Sequence, residues 1–306
     1  MKLAVPDLVS PSYFPVVAAV DLGFFTAEGL DVELELVFPI DAAYRALGDG
    51  ALDFVGGSAH AALSAFPDWE GVKLLCAQSQ GIYWFLVMRA DLGARRGDLS
   101  AVRGRRIGAS PWVEMGLRAL LEDAGVDLQR DEVQIAPVPR RPDERNFGVA
   151  AARRLEEGAI DGFWANGMAA ELAVQRRFGT LVLDARRDTT ADARDYTFPA
   201  LAASDRLIAE HPETAAAAVR AVAATQRALG ADPSRATEVG RRRFPPEEAG
   251  LIAELVRRDL PFYSPAIAPR TVAALNGFAR RMGILARDAP YDAVVAARFA
   301  SLWAVA

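Results

Sequence analysis

The fold is decided by residues 47–60, Leu-Gly-Asp-Gly-Ala-Leu-Asp-Phe-Val-Gly-Gly-Ser-Ala-His, whose pattern returns at residues 155–168 as Leu-Glu-Glu-Gly-Ala-Ile-Asp-Gly-Phe-Trp-Ala-Asn-Gly-Met. In each copy a helix is expected to end at a glycine, the chain to turn at an aspartate, and a short apolar strand to follow. Ser58 and Asn166 come next, and both residue types accept hydrogen bonds from the free N–H groups of a helix start. Two similar α/β lobes are therefore predicted. Ligands of open α/β sheets bind at the carboxyl ends of strands, so a binding cleft lined by residues of both copies is expected.

The segments around each copy follow the same order in both halves of the chain. Alternating or continuous apolar runs predict strands, and apolar residues at helical spacing between proline and glycine predict helices. In the first half the strands are predicted at 3–7, 32–37 and 72–78, with helices at 16–22 and 42–47. The second half repeats this order, with strands at 106–109, 132–136 and 181–184 and helices at 113–124 and 147–157.

Two further strands are expected to carry the chain between the lobes. Residues 82–89 form a long unbroken apolar run, and residues 196–203 are predicted to return. The prediction is an α/β fold of two lobes, each a mixed sheet flanked by helices, with two interlobe crossings. Lobe one would contain residues 1–88 and 200–306, and lobe two residues 89–199.

The C-terminal region is predicted to be helical and to pack on lobe one. From His211 onward apolar residues recur at helical spacing, and four of the predicted helices have proline at or just before their first turn. The last predicted helix of the chain covers residues 292–303.

Composition and charge exclude several classes of protein. Charged residues make up 25% and apolar residues 52% of the chain, as in ordinary globular domains. A net charge of −5 argues against nucleic-acid binding, which needs a basic surface. One cysteine, Cys76, permits no disulfide framework, and with only two histidines we predict neither a metal site nor a cofactor. No apolar run is long enough to span a membrane.

Candidate ligand-binding residues lie in the loops at the predicted strand ends. Ser58, Ser110 and Asn166 each precede a predicted helix, where a polar side chain and free N–H groups favour a carboxylate, sulfonate or phosphate. Helix capping alone would also explain these three residues. Aromatic residues are frequent at the same ends and could stack on a flat ring, or could belong to the core. The candidates are Ser12, Tyr13, Phe14, Phe38, Ser58, His60, Gln80, Ser110, Trp112, Asn166, Met168 and Tyr196.

Two motifs carry a family resemblance. Residues 19–32, Ala-Val-Asp-Leu-Gly-Phe-Phe-Thr-Ala-Glu-Gly-Leu-Asp-Val, and residues 46–54, Ala-Leu-Gly-Asp-Gly-Ala-Leu-Asp-Phe, resemble signatures of the type II periplasmic binding proteins of ABC importers. Within them the chain looks closest to the branch that binds thiamine-pyrimidine precursors, riboflavin-like compounds and alkanesulfonates. The resemblance covers about residues 1–230.

This resemblance implies a solute-binding protein that closes two lobes of the type II fold on a small organic ligand. The candidate residues favour a ligand that is aromatic or heteroaromatic and anionic. An ABC permease is the implied partner, and a monomer the implied state. No secretory segment precedes the first predicted strand. A periplasmic or membrane-tethered location is therefore expected if a leader has been removed, and a cytoplasmic one if Met1 is the native start.

A cytoplasmic enzyme on the same fold is the alternative, for example an aromatic-acid decarboxylase or a menaquinone-pathway-like lyase. Its support is the missing leader and the isolated His60, which follows Ser58 by two residues. Against it, the sequence contains no G-x-G-x-x-G after a strand, no P-loop and no recognisable catalytic triad, so we predict no catalytic residues. A sensor domain that kept the binding fold is a third possibility, although no DNA-binding helix pair accompanies it.

Overall fold

A computed structural model describes residues 1–304 of the chain. These residues form two units, one built from residues 1–81 together with the chain from residue 195 onward, the other from residues 82–194. Each unit contains one five-stranded sheet flanked by helices. The described residues contain these strands: β1 (Lys2–Val5), β2 (Glu33–Leu36), β3 (Phe54–Ser58), β4 (Val72–Ala77), β5 (Phe85–Arg89), β6 (Arg106–Ala109), β7 (Gln134–Ala136), β8 (Gly162–Ala165), β9 (Gly179–Asp184) and β10 (Pro199–Ser204).

The two sheets have the same strand arrangement. Sheet one has the order β2-β1-β3-β10-β4, and sheet two has the order β7-β6-β8-β5-β9. In sheet one β1 is parallel to β2 and β3, and β10 is antiparallel to β3 and β4. In sheet two β6 is parallel to β7 and β8, and β5 is antiparallel to β8 and β9. The duplication and the mixed sheets predicted from the sequence are thereby confirmed.

Helices connect the strands of each unit and form most of the C-terminal region of unit one. The α-helices of the second unit are α4 (Glu114–Asp123), α5 (Phe147–Glu156), α6 (Gly167–Gln175), α7 (Ala185–Asp188) and α8 (Ala191–Arg194). The first unit contains α1 (Phe14–Asp21), α2 (Phe24–Ala27), α3 (Ile40–Gly48), α9 (Asp205–Glu210), α10 (Pro212–Ala231), α11 (Arg235–Arg243), α12 (Pro246–Asp259), α13 (Pro269–Arg281) and α14 (Tyr291–Val294). Short 3₁₀ segments include Ala59–Ser64, Leu260–Phe262 and Ala297–Ala304.

Two glycines in β3 explain how helices pack on both faces of sheet one. A Cβ added to Gly56 would lie 2.9 Å from Val16 of α1, and a Cβ added to Gly57 would lie 2.4 Å from Ile40 of α3. Successive strand residues face opposite sides of a sheet, so α1 and α3 cover opposite faces of β3. The Gly-Gly pair of the first copy is therefore needed for close helix packing on sheet one.

The lobe boundaries predicted from the sequence are displaced by a few residues. Residues 82–88 were assigned to lobe one, but β5 pairs with β8 and β9 of sheet two. Residues 195–199 were assigned to lobe two, but they lie in the first unit, where Pro199 pairs with Ser58. Apolar character marks both strands as buried but does not reveal which sheet they join.

The predicted helix at residues 292–303 is also wrong. Its first turn forms α14, but Val295 leaves the helix and makes a parallel bridge to Leu74 of β4. A 3₁₀ segment follows, in which the Trp303 indole donates a hydrogen bond of 3.0 Å to the Leu75 carbonyl. Contacts with a strand more than 200 residues away in sequence override the local helical pattern. Within residues 1–304, no helix combines the length and apolarity needed to cross a bilayer.

Candidate functional site

Buried polar side chains collect at one edge of sheet one. Because β1, β3 and β4 point the same way and β10 runs against them, the ends of the first three strands lie beside the start of β10. We call the segments at this position the sheet-one edge: residues 6–13, 58–64, 78–80 and 196–198. Its buried polar residues are Asp7, Ser10, Ser12, Ser58, His60, Gln78, Ser79 and Thr197.

The loop after β1 is shaped by Asp7. The Asp7 carboxylate accepts hydrogen bonds from the backbone N–H of Val9, at 2.8 Å, and of Ser10, at 3.1 Å. The Ser12 hydroxyl donates to the Asp259 carboxylate at 2.8 Å, which ties the loop to the end of α12. Tyr13, the next candidate, is buried as well. The loop is thus held by hydrogen bonds that involve both its backbone and its side chains.

Two serines at this edge have buried hydroxyl groups without hydrogen-bond partners. Neither the Ser10 nor the Ser58 Oγ bonds to any atom of residues 1–304, and the two residues are only 1% and 0% exposed. The Ser58 carbonyl, by contrast, accepts a hydrogen bond from the Tyr44 hydroxyl. Buried polar groups are almost always paired, so an unpaired one calls for a bound molecule or water. Ser10 and Ser58 follow adjacent parallel strands, which makes both hydroxyls candidates for ligand contact.

His60 and Tyr196 lie at the same edge in a cluster with α13. The His60 Nδ1 is 2.8 Å from the Thr197 hydroxyl, and its ring packs edge-on against Phe278 with centroids 5.4 Å apart. Tyr196 stacks on the same Phe278 at 5.2 Å, and its hydroxyl accepts a hydrogen bond of 3.2 Å from Arg281. The Thr197 hydroxyl and the Phe278 ring therefore both help to orient the imidazole.

Asn166 of the second unit caps the helix that follows its strand. Its side-chain oxygen accepts a hydrogen bond of 3.0 Å from the Ala169 N–H, as the repeated motif predicts. The same amide rests against Gly148 of α5, where an added Cβ would lie 2.7 Å from Asn166 Nδ2. The position of Asn166 therefore depends on a glycine in the neighbouring helix.

Replacing Gly148 by alanine is expected to displace the Asn166 amide and weaken the start of α6. Loss of an N-cap hydrogen bond costs about 1 kcal/mol, so Gly148→Ala should have a free energy of unfolding lower by roughly that amount than Gly250→Ala, which shares the gain in helix propensity. Gly250→Ala is the matched control, since Gly250 is also helical and a Cβ there meets nothing within 4 Å. Hydrogen exchange of residues 167–170 measures the effect, and unchanged exchange in Gly148→Ala would contradict this packing.

Helix capping was predicted at two further positions, Ser58 and Ser110, and the structure corrects both. The segment after Ser58 is a 3₁₀ helix without a side-chain cap. The helix after Ser110 begins only at Glu114, with Val113 in the cap position and no side-chain hydrogen bond. Between Ser110 and Glu114, Trp112 adopts a left-handed backbone conformation with φ of 68°, which residues other than glycine rarely adopt. This turn delays the start of α4 beyond reach of the serine.

The remaining predicted residues differ in their surroundings. Phe14 is fully buried in α1 and packs edge-on against Phe244, at 6.4 Å between centroids, so it is a core residue. Met168 is fully buried in α6. The Gln80 amide donates to the carbonyls of Ser264 and Ala266, at 2.8 and 2.9 Å. Phe38 follows the end of β2 and is half-buried.

The predicted residues thus fall into two groups, one in each unit. Sheet one brings together Ser12, Tyr13, Phe38, Ser58, His60, Gln80 and Tyr196 at the ends of its parallel strands or the start of β10. In sheet two, Ser110 and Trp112 follow β6, and Asn166 and Met168 follow the adjacent parallel strand β8. Ser10 and Thr197 were not singled out from the sequence. The spacing of Asp7 and Ser10 is typical of a side-chain-capped turn and could have indicated the loop.

Glu114 and Cys76 are two further titratable groups near these strands. Burial at the start of α4 raises the pKa of the Glu114 carboxyl, and Arg118 partly opposes this shift. Burial also raises the pKa of the Cys76 thiol, which lies inside β4 opposite Leu201. Among residues 1–304 no three or more His, Cys, Asp or Glu side chains cluster in a way that could hold a metal ion.

Solved structures with the same fold include binding proteins and an enzyme. A protein from Bordetella bronchiseptica RB50 aligns with a TM-score of 0.75 at 19% identity, over 97% of this chain and 92% of its own. The alkanesulfonate-binding protein SsuA from Xanthomonas axonopodis pv. citri, bound to MOPS, aligns with a TM-score of 0.70 at 14% identity, over 98% and 96%. A C-to-S mutant of DSZB in complex with biphenyl-2-sulfinic acid aligns with a TM-score of 0.65 at 16% identity, over 98% and 97%.

At these identities the structural matches show the fold alone, and no curated protein matches the sequence significantly. The family model described as NMT1/THI5 like matches residues 10–236, well over half of the chain. The matched region includes Ser10, Ser58, His60, Asn166 and Tyr196. On this evidence the chain belongs to the NMT1/THI5-like family.

Proposed function

We propose that this protein is a solute-binding protein of the ABC-importer type, whose ligand is a small organic anion with a sulfonate head group. The observation that carries the proposal is the pair of buried hydroxyls without partners, Ser10 and Ser58, at the ends of adjacent parallel strands. Support also comes from the fold, which the chain shares with alkanesulfonate-binding proteins from three bacteria.

The polar groups of the sheet-one edge suit a weakly basic anion. Its two carboxylates, Asp7 and the adjoining Asp259, already accept hydrogen bonds from within the protein. The serine hydroxyls are neutral donors, and no lysine or arginine is among the buried residues of this edge. Burying an anion without a counter-charge is costly, and the cost is smaller when the charge is spread over several oxygens. A sulfonate spreads its charge over three oxygens and stays ionised at any physiological pH, so it fits better than a carboxylate.

The organic part of the ligand would contact the aromatic residues of the same edge. Tyr13, in the loop of Ser10, is buried, whereas Tyr196 of the same edge and Phe38, which follows β2, are half-buried. Aromatic side chains stack well on flat rings and also cover aliphatic chains. We therefore include aromatic sulfonates among the ligands.

An enzymatic role on this fold receives less support. The structural neighbour DSZB is described as a desulfurization enzyme, and its complex was solved with a cysteine replaced by serine. The one cysteine of this chain, Cys76, is fully buried within β4, where burial disfavours the reactive thiolate. The Nδ1 of His60, the residue on which the enzyme alternative rests, lies 2.8 Å from the Thr197 hydroxyl. For an importer-type protein we propose an extracytoplasmic location and an ABC permease as partner.

Calorimetric titration with matched ligand pairs tests the proposal. The pairs are ethanesulfonate with propionate and benzenesulfonate with benzoate, and MOPS and phenyl methyl sulfone complete the panel. At least one sulfonate is expected to bind about tenfold or more tighter than its carboxylate, a difference of about 1.4 kcal/mol. Nuclear magnetic resonance of the ligand after incubation should show it unchanged. Preference for the neutral sulfone, absence of binding at millimolar concentrations, or conversion of the ligand would each refute the proposed function.

A further inference from the structure

Unit one contains a cavity of about 240 Å³ beside α10. The cavity is half open to solvent, since Arg227, Gly230 and Ala304 in its wall are exposed. None of the predicted ligand-binding residues lines it. Its walls are largely apolar, formed by the side chains of Leu260, Tyr263, Pro265 and Trp303. Gly230, in the last turn of α10, faces open space, because a Cβ added there meets no atom within 4 Å. An apolar cavity of about 150 Å³ holds one benzene molecule, so this cavity has room for a single-ring or small bicyclic molecule.

One polar group in the cavity wall has an unsatisfied acceptor. The Gln226 side chain is 5% exposed, and its Nε2 donates to the carbonyls of Ala77 and Gln78, at 3.1 and 2.8 Å. These two bonds fix the orientation of the amide, because only the nitrogen can donate. The Gln226 Oε1 then has no hydrogen-bond partner within residues 1–304. An occupant of the cavity would satisfy it by supplying an N–H or O–H group.

The wall of the cavity is bonded to the sheet-one edge. The Tyr263 hydroxyl donates to the Pro11 carbonyl at 2.5 Å, in the loop that carries Ser10. The Phe262 carbonyl accepts from the Gln80 N–H at 2.8 Å, and the Pro265 carbonyl accepts from the Ala77 N–H at 2.9 Å. An occupant would therefore rest on a segment that holds two loops of the sheet-one edge.

We infer that this cavity is a second binding site, which takes a small single-ring or bicyclic aromatic molecule carrying one hydroxyl or N–H donor, of the phenol or indole class. The apolar walls bury the ring, and the Gln226 Oε1 accepts the hydrogen bond. An analogue without the donor leaves that oxygen unpaired and binds more weakly, as in other sites built around a buried hydrogen bond.

Calorimetry with phenol, indole and toluene tests the site, using the wild type and two leucine variants. Gly230→Leu adds a side chain at a residue that lines the cavity, whereas Gly250→Leu adds the same side chain at an open helical position that does not line it. Phenol or indole should bind the wild type and Gly250→Leu equally. Gly230→Leu should lower the affinity at least about tenfold, and toluene should bind at least about tenfold more weakly than phenol, a difference of about 1.4 kcal/mol.

Each of three results would overturn the inference. These are no binding of phenol or indole at millimolar concentrations, equal affinity of wild type and Gly230→Leu, and equal affinity for toluene and phenol. The test is independent of the sulfonate proposal, because the Ser10→Ala, Ser58→Ala double variant should bind phenol as the wild type does. If that double variant loses phenol binding, the probe occupies the sheet-one edge and the cavity assignment is wrong.

Discussion

Replacing Glu144 by leucine is expected to lower the free energy of unfolding of the second unit by about 3–5 kcal/mol. The Glu144 side chain is only 1% exposed, and both its oxygens accept from Arg154 Nη2, at 2.9 and 2.7 Å. It also accepts from the Arg141 backbone N–H at 2.7 Å. Removing the carboxylate would leave the buried Arg154 guanidinium with two partners, the exposed Glu157 carboxylate and one backbone carbonyl.

The control for this variant is Glu156→Leu, which removes an exposed partner of Arg176 and should change stability by less than about 1 kcal/mol. Urea titration with hydrogen exchange of residues 139–157 measures both changes. Equal effects of the two variants would show that burial of the pair contributes nothing. Since Glu144 precedes α5, a large effect would also loosen the contact between Gly148 and Asn166.

The Glu144 pair should also make stability depend on pH. Burial raises the pKa of the Glu144 carboxyl, but the Arg141 N–H, Arg154 and Arg153 outweigh it and hold that pKa below its ordinary value of 4.5. A group with a lowered folded-state pKa stabilises fully above its unfolded-state pKa, and the contribution is lost as pH falls through the folded-state pKa. The difference between wild type and Glu144→Leu should therefore be constant near neutral pH and shrink below about pH 4.

The Ser10→Ala, Ser58→Ala double variant is expected to bind the best sulfonate about 10² to 10⁴-fold more weakly than the wild type. A hydrogen bond to a charged group contributes about 1.5–3 kcal/mol, and two would be lost. The ligand-free protein should keep its melting temperature or gain slightly, because an unpaired buried hydroxyl does not stabilise the fold. Calorimetric titration and thermal unfolding, performed on the same sample, separate the two effects.

Ser64→Ala is the control for the double variant, since Ser64 ends the 3₁₀ segment that follows Ser58 and its hydroxyl is already bonded to the Ala61 carbonyl at 2.7 Å. It should leave sulfonate affinity unchanged. A double variant within a few-fold of the wild type would place the sulfonate elsewhere. A double variant that is clearly less stable without ligand would mean that the hydroxyls serve the fold.

The duplication was predictable because it rests on local signals. The strand at Arg106–Ala109 and the start of α5 at Phe147 were predicted at their observed positions, and Asn166 caps its helix as expected. Errors arose where distant segments decide the structure. Val295 leaves its predicted helix to pair with Leu74, and β5 joins a sheet that its own sequence does not specify.

The chemistry of the site was less predictable than its position. The sequence indicated the loops at the strand ends, but no pattern distinguishes the Ser12 hydroxyl, bonded to Asp259, from the unpaired Ser10 hydroxyl two residues earlier. Likewise His60 was identified as isolated, yet it pairs with Thr197, which comes from the returning strand segment. Hydrogen-bond partners across long sequence separations are properties of the folded chain.

The position of β10 determines the order in which the two units can form during synthesis. Sheet two is encoded without interruption between residues 85 and 184, so all of its strands have been translated before β10 begins. Sheet one cannot form completely until later, because β10 lies between β3 and β4 and is synthesised more than 120 residues after β4. Until residue 204 leaves the ribosome, β3 and β4 each lack a neighbouring strand. Strands with unpaired backbone groups are prone to aggregation. All strands of the second unit are therefore synthesised before the last strand of the first unit.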